Sequence, residues 1–517
     1  MPPRQTTMLL YKYTCIVVET PPITSAPLSS AIIDRAEEQD HLSSLLAEGT
    51  PQLVLIYGRR RVGKTHLLTH LWPTDRAFYF TASATTPEQN RQQLIADLAQ
   101  WSGEPLRHED YPTWRTVFRL LFDFRSPAPI VVVLDEFQYL GETETALSGV
   151  ASELNAAWER RRPARPLVCV LSGSATRTLE ALDAGGAPLH GRFAWKRQIQ
   201  PFDYWTTAEM VPFRRLRDRC YTYGLFGGTP RYLATIKPRE TLAGNATRLL
   251  LAPSGEVREL VRTALLQEQS LRETTQYTAI MRAIGSGRTD LNEIAQRAGL
   301  GVDTPLRSKL ERLIAMGYVR TERNLGAKGT VPFRYRLADP AFMFHHEYVS
   351  KFETVLERNS PKDVWNAHIA PVLDTYMGPV FEQIAEQAYT RLRTRLKLPM
   401  VREWGRWEGR DRDGASLEMD IACVLSDGGV MTGGVKWNKK PLGVAWHHHH
   451  MQMIERLATS GVAWAHKASK PDSPLLWVAA SGFTPEFEKT VRAARRHAFL
   501  LNLEDLYQPS GRARRHR

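Results

Sequence analysis

The chain has 517 residues and a mass of 58.7 kDa, and its 68 Lys and Arg against 55 Asp and Glu give a formal net charge of +13 and a pI near 9.6. An apolar content of 43% can build packed cores, which excludes a disordered chain, and the 34 Gly and 32 Pro follow no short repeat, which excludes a fibrous one. The basic excess favours a polyanionic partner and says nothing about fold.

At roughly 150 residues per domain the length suggests about three domains. Cys15, Cys169, Cys220 and Cys423 are too scattered for a metal or redox motif or a disulfide framework. They are expected to be reduced thiols of a cytoplasmic protein. The apolar stretch from Met8 to Val18 is interrupted by Lys12 and is far short of the roughly 20 residues that cross a bilayer. No membrane association is expected.

In chain order, residues 1–30 read as an N-terminal extension. Residues 31–205 alternate short apolar runs (Leu53–Tyr57, Ala77–Thr81, Ile130–Leu134, Leu167–Ser172) with longer amphipathic stretches, the pattern of an α/β parallel sheet with helices on both faces. Residues 206–268 read as mainly helical, with a turn at Gly227–Pro230. In 269–340, three helices (Tyr277–Ile284, Leu291–Ala298, Pro305–Met316) precede two strand-like runs, Gly317–Arg323 and Phe333–Leu337. That order is the order of a winged helix. Residues 341–508 mix helices near 378–395 and 448–458 with strands at Ala422–Leu425, Gly433–Trp437 and Leu475–Ala479. Residues 509–517 form a basic tail.

The strongest motif is Gly58-Arg-Arg-Arg-Val-Gly-Lys-Thr65, which fits G-x-x-x-x-G-K-[ST] at every fixed position, with a strand before it and a helix after. Glycines let backbone N–H groups wrap phosphates. The expected nucleotide contacts are Gly58, Arg61, Val62, Gly63, Lys64, Thr65 and His66, with Lys64 reaching the β- and γ-phosphates of ATP and Thr65 holding Mg²⁺. Arg59, Arg60 and Arg61 are expected to face solvent or touch phosphate loosely. A second element follows in Ile130–Leu134, which ends in Asp135-Glu136. Asp135 at the strand's end is the expected second Mg²⁺ group, and Glu136 the residue that orients and activates water.

These motifs, with Ser172-Gly-Ser174, Gly191-Arg192, Pro201-Phe202, Gly227–Arg231 and Ile33-Asp-Arg-Ala-Glu37, resemble the prokaryotic AAA+-like ATPases often called archaeal or DEXX-box ATPases, over about residues 31–440. The resemblance implies a P-loop NTPase core at 31–205 with a helical lid. It implies a γ-phosphate contact by Ser172 or Ser174, of which Ser172 is placed among the nucleotide contacts. It makes Arg192 the catalytic arginine, with Arg231 a second candidate. An arginine acting in trans would require a homo-oligomer.

Between 301 and 336, eight basic residues stand against three acidic ones. Arg307, Lys309 and Arg312 on the third helix and Lys328 near the wing tip form the expected DNA surface. A lid or protein-docking role stays open. The resemblance also implies a C-terminal α/β domain like restriction endonucleases, which need an acid near one strand and E-x-K on the next. Glu382, Asp420 and Lys436 align, but Gly434 stands where the glutamate belongs. Impaired or absent nuclease activity is expected. His447–His450 is read as a solvated or partly buried helix terminus, and Trp404, Trp407, Trp437 and Trp446 as core. The combined expectation is a Mg²⁺-dependent ATP hydrolase coupled to DNA; a slowly hydrolysing nucleotide-gated switch and an ATP-dependent nuclease are the alternatives.

Overall fold

The apolar runs of the first half pair side by side. In the computed structural model, which describes residues 32–509 apart from 125–129, 162–166, 175, 269–270, 272, 328–333 and 495–496, they form one parallel sheet. Its strands are β1 (Gln52–Tyr57), β2 (Ala77–Thr81), β3 (Ile130–Asp135), β4 (Leu167–Gly173) and β5 (Trp195–Gln198), in the order β2-β3-β4-β1-β5. The pleat divides each run between two faces. Leu55, Val132, Cys169 and Leu171 pack with Phe118, Phe122, Leu154 and Trp158. Val54, Ile56, Val131, Val133, Val168 and Val170 pack with Leu42, Leu67 and Leu68 on the other side. Both faces are therefore covered, which is why these strands read as continuous apolar runs. Within this sheet the strand that sequence missed is β5, Trp-Lys-Arg-Gln, a polar edge strand paired with Val54–Tyr57.

This order puts β1 beside β4 and sends β2 to the far edge, so the chain ends of β1, β3 and β4 open onto the same edge of the sheet. Such a reversal is where open α/β sheets carry their ligands.

After the sheet come short helices, among them Tyr204–Met210, Leu216–Phe226, Pro230–Leu233 and Glu256–Arg262. Three helices, Thr274–Gly285, Leu291–Ala298 and Thr304–Ala315, then precede β6 (Val319–Glu322) and β7 (Arg334–Leu337), an antiparallel pair. The second and third helices start on Asp290 and Asp303, whose carboxylates accept backbone N–H groups of the first turn.

The last part holds β8 (Val401–Glu403), β9 (Trp407–Arg410), β10 (Ser416–Met419), β11 (Ile421–Leu425), β12 (Val430–Lys436), β13 (Leu475–Ala479) and β14 (Ala498–Leu501). Five of them make a mixed sheet in the order β14-β13-β12-β11-β8, and β9 pairs with β10. Asp420 sits in the gap between β10 and β11 rather than inside a strand. The hairpin is stitched to this part: the side-chain amide of Asn324 donates to the Glu408 carbonyl at 2.6 Å and accepts from the Glu408 N–H at 2.7 Å, and Leu325 N–H donates to the Arg406 carbonyl. One continuous apolar core runs from Phe202 to Tyr507.

Two expectations need correction. Trp446 is 45% exposed, outside the core that Trp407 joins, and Lys436 Nζ lies 5.2 Å from its ring centre. His447 and His450 lie one turn apart on the buried face of the helix Ala445–Thr459, where His450 meets the Thr432 hydroxyl at 3.1 Å; neither is solvated. Among the described residues, no helix is long and apolar enough to cross a membrane.

Candidate nucleotide-binding site

The loop after β1 is built by backbone constraints. Gly58 has φ +146°, and a Cβ there would lie 2.4 Å from the Ile199 carbonyl oxygen, so only glycine fits. Gly63 has φ +95° and caps the helix Lys64–His70. Arg61, with φ +71°, takes a left-handed turn that β-carbons resist. Lys64 is buried, and its Nζ donates to the carbonyls of Gly58 (2.8 Å) and Arg59 (2.9 Å). Burial lowers its pKa from the usual lysine value, and the charges of Glu136 and Asp135 oppose that shift.

The acidic pair sits at the end of fully buried β3. Asp135 Oδ2 accepts the Thr65 hydroxyl at 2.9 Å and the Tyr79 hydroxyl from β2. Burial and the Asp135 charge push the Tyr79 phenol well up, so it stays a donor. At Glu136 the chain turns left-handed, with φ +52°, and its N–H donates to Asp135 Oδ1 at 3.0 Å. The Glu136 carboxylate accepts the Ser174 hydroxyl at 2.9 Å and the Gln138 side-chain amide. Ser172, on β4, is fully buried, and its hydroxyl has no partner. Thus Lys64, Thr65, Asp135 and Glu136 come together as expected from their motifs, with Ser174 on the acid and Ser172 buried one strand away. Val62 is buried in the core below the loop, and the His66 ring lies tilted against that of His70, centres 4.1 Å apart.

Sequence reading missed Tyr79 and Gln138. Neither belongs to a motif. A period-2 reading of β2 would have put Tyr79 on the same strand face as Ala77, and Gln138 has a signal only in Gly173, where a Cβ would lie 2.1 Å from Gln138 Oε1.

The expectation for the loop arginines is wrong. Arg59 is buried in an ion pair with Asp339, 2.6 Å away. Arg60 donates to the Tyr139 hydroxyl at 2.6 Å. Arg61 donates to the Leu260 carbonyl at 3.1 Å and to Gln267 at 2.7 Å. Later segments cover the loop, and its arginines bind them. Arg192 pairs with Glu159 (2.8 Å) and Arg231 with Glu256 (2.6 Å), all four about half exposed.

The expected DNA surface also divides. Arg307 is exposed, but Lys309 is 15% exposed and pairs with Glu273 at 3.3 Å, and Arg312 reaches the Tyr277 hydroxyl at 3.5 Å. At about 100° per residue, positions 309 and 312 point about 160° and 140° away from 307, so the three cannot share a face. Lys328 lies outside the described residues.

Among the C-terminal acids, Asp420 accepts Lys436 Nζ at 2.6 Å and the Val435 N–H at 2.9 Å. Arg406, nearly buried, pairs with Glu418 and lies 3.6–3.9 Å from Glu322, Glu382 and Glu408. A side chain at Gly434 would meet the Trp477 ring at 2.6 Å. Among the described residues no group of three or more His, Cys, Asp or Glu side chains could hold a metal ion. A guanidinium and an ammonium fill the places between these acids, and the residues do not fit a nuclease metal.

Residues 32–236 match a family described as an ATPase domain predominantly from Archaea, and residues 345–449 a family described as archaeal and bacterial proteins of unknown function. An uncharacterized protein of Methanocaldococcus jannaschii is 25% identical over 414 residues, 78% of this chain and 87% of that one. Among solved structures, the Walker-type ATPase of Pyrococcus abyssi is similar with a TM-score of 0.48 and 23% identity, over 61% of this chain and 96% of that chain. The Aeropyrum pernix ORC2 protein, in ADPNP–ADP complexes, gives 0.42 and 16%, over 65% and 95%.

Proposed function

We propose that the chain is a Mg²⁺-dependent ATP hydrolase of the AAA+-like type. The observation that carries this reading is the convergence of Thr65, Asp135 and Glu136 behind the Gly58–Thr65 loop, with the Thr65 hydroxyl 2.9 Å from Asp135 Oδ2. The match of residues 32–236 to an ATPase domain supports it.

In this reading the loop amides and Lys64 hold the β- and γ-phosphates, and Lys64 exchanges its two carbonyl partners for phosphate oxygen. Thr65 and Asp135 supply two hard oxygen donors that suit Mg²⁺, which when bound neutralises charge on the β- and γ-phosphates. Glu136 orients water for in-line attack on the γ-phosphorus and takes its proton. The bond from γ-phosphorus to the bridging oxygen breaks, leaving ADP and phosphate. Ser172 offers the expanding phosphate a buried hydroxyl, and Arg192, which would have to leave Glu159, serves as the catalytic arginine.

The test is steady-state turnover with MgATP. Glu136→Gln is expected to lower kcat by about 10²-fold or more with nucleotide still bound, and Lys64→Ala to lose binding. A wild type no faster than Glu136→Gln would sink the hydrolase reading. It would favour the slow switch, for which there is a specific observation: Ser174 and Gln138 already engage the Glu136 carboxylate.

The three helices and hairpin at 274–337 are read as a winged helix that contacts DNA through the exposed Arg307 face. The mixed sheet after residue 400 is read as a nuclease-like domain without cleavage activity.

A further inference from the structure

Four segments far apart in sequence meet at one buried ion pair. Arg59 is the second residue of the phosphate loop, and its Nη2 lies 2.6 Å from Asp339 Oδ2 and 3.3 Å from the Thr229 hydroxyl. Its guanidinium stands 5.0 Å from the ring centre of Tyr318 and 5.5 Å from that of Phe342. Asp339 follows β7 and caps the helix Pro340–Phe344, with Oδ1 accepting the Ala341 N–H at 3.0 Å and Oδ2 lying 3.4 Å from the Thr229 hydroxyl. The approach is close enough that a Cβ on Gly227 would lie 1.9 Å from Asp339 Oδ1. Both charges are buried, 6% and 3% exposed at the side chain. A buried charge without its partner is strongly disfavoured, so loop and cap move together or the pair breaks.

The backbone of the same residue faces Lys64. The Arg59 carbonyl is one of the two acceptors of Lys64 Nζ. When phosphate enters the loop, that ammonium has a stronger, charged acceptor to bind. The peptide after Arg59 is then released on one side while its side chain stays anchored on the other.

We propose that Asp339 is a positioning residue for the phosphate loop, and that the Arg59–Asp339 pair transmits loop occupancy to the unit formed by the three helices and hairpin. The proposal rests on the nucleotide-binding reading of the loop. It assigns a role to a residue 274 positions after Thr65, the loop's last residue, whose link to the loop is its ion pair with Arg59. Through this pair nucleotide in the loop changes the unit, and a change at Asp339 changes how the loop is held while it turns nucleotide over.

The experiment uses the full chain with a fluorescent ATP analogue for binding, steady-state ATPase kinetics for turnover, and hydrogen exchange of segments 304–325 and 334–344 with and without nucleotide. In wild type, nucleotide is expected to change exchange in both segments. Asp339→Asn keeps volume and helix cap but deletes the charge. It is expected to bind the analogue within about threefold of wild type, lose the exchange response, and lower kcat at least tenfold with KM little changed. A residue that only glues the units together would shift stability and leave the exchange response and the kcat–KM split alone. If Asp339→Asn does not fold, Asp339→Ser, a good cap that admits water beside Arg59, takes the same measurements. A variant that binds nucleotide and keeps the wild-type exchange response overturns the proposal, as does a wild type that binds without any response. A wild type that binds no nucleotide overturns the site reading first, and the coupling with it.

Discussion

Glu136 holds a left-handed conformation that costs a non-glycine residue roughly 1–2 kcal/mol. The turn ends β3 and brings the carboxylate to Ser174 and Gln138, so the strain sits where the chemistry is proposed. The carboxylate was legible in sequence because a strand ending in two acids is a pattern; its holders were not, because a glutamine two residues on is ordinary. Glu382 shows the same limit. Burial, and next the charge of Asp420, raise its carboxyl from 4.5 to about 7, against the pull of Arg406. The unfolded chain releases this proton first, so between about pH 4.5 and 7 the folded state binds more protons, and stability falls as pH rises through that window. The effect is at most about 3 kcal/mol. Glu382→Gln removes it: urea unfolding from about pH 5 to pH 8 is expected to show the variant gaining on wild type as pH rises. A gap between the two that does not change with pH would refute this.

At the scale of elements, the long periodic segments were readable and the short polar ones were not. The helix Thr304–Ala315 is legible to within a residue or two, since its caps and apolar spacing are local. Which of its faces is free was decided by Glu273 and Tyr277 on neighbouring segments. DNA contact through this helix therefore makes a divided forecast. Arg307→Ala should weaken DNA binding at every sequence and reduce the salt dependence by about one counterion. Arg312→Ala should instead lower stability by about 1 kcal/mol through lost hydrogen bonding, read as a lower melting temperature, with DNA affinity little changed. Equal losses of affinity from both would show that the helix presents another face. The strand β12 carries a second lesson. Gly434 lies in register with Trp477 on β13, whose ring takes the space that a side chain at 434 would need. Sequence shows a glycine there; packing shows that the space beside it is filled.

Across the whole molecule, the short helices after the first sheet, the three-helix unit and the C-terminal sheet share one apolar core. The chain's later part returns to its middle: the Tyr204 hydroxyl donates to the Leu506 carbonyl at 2.5 Å, and Tyr507 lies with its hydroxyl 3.4 Å from Cys220 Sγ and its ring centre 5.2 Å from that of Tyr204. Removing that ring should cost about 3 kcal/mol, as large-to-small changes of buried aromatics do. Denaturant unfolding of Tyr507→Ala is the check. If helices 204–226 depend on this contact, their amides should exchange faster in the variant, and unchanged exchange there would mean that the units are energetically separate.

Sequence by itself determined the phosphate loop, its acidic partner, the parallel sheet and the three helices with their hairpin. Each is written in residues close along the chain, where glycine φ angles, helix caps and strand alternation act locally. Tertiary structure alone decided which arginines are free, where Asp339 and Glu408 sit, and that Arg406 stands among four carboxylates. A charge carries no mark of its partner in sequence. In a chain with 68 basic residues, the low dielectric of a shared interior sorts the paired from the solvated, and only the fold creates that interior.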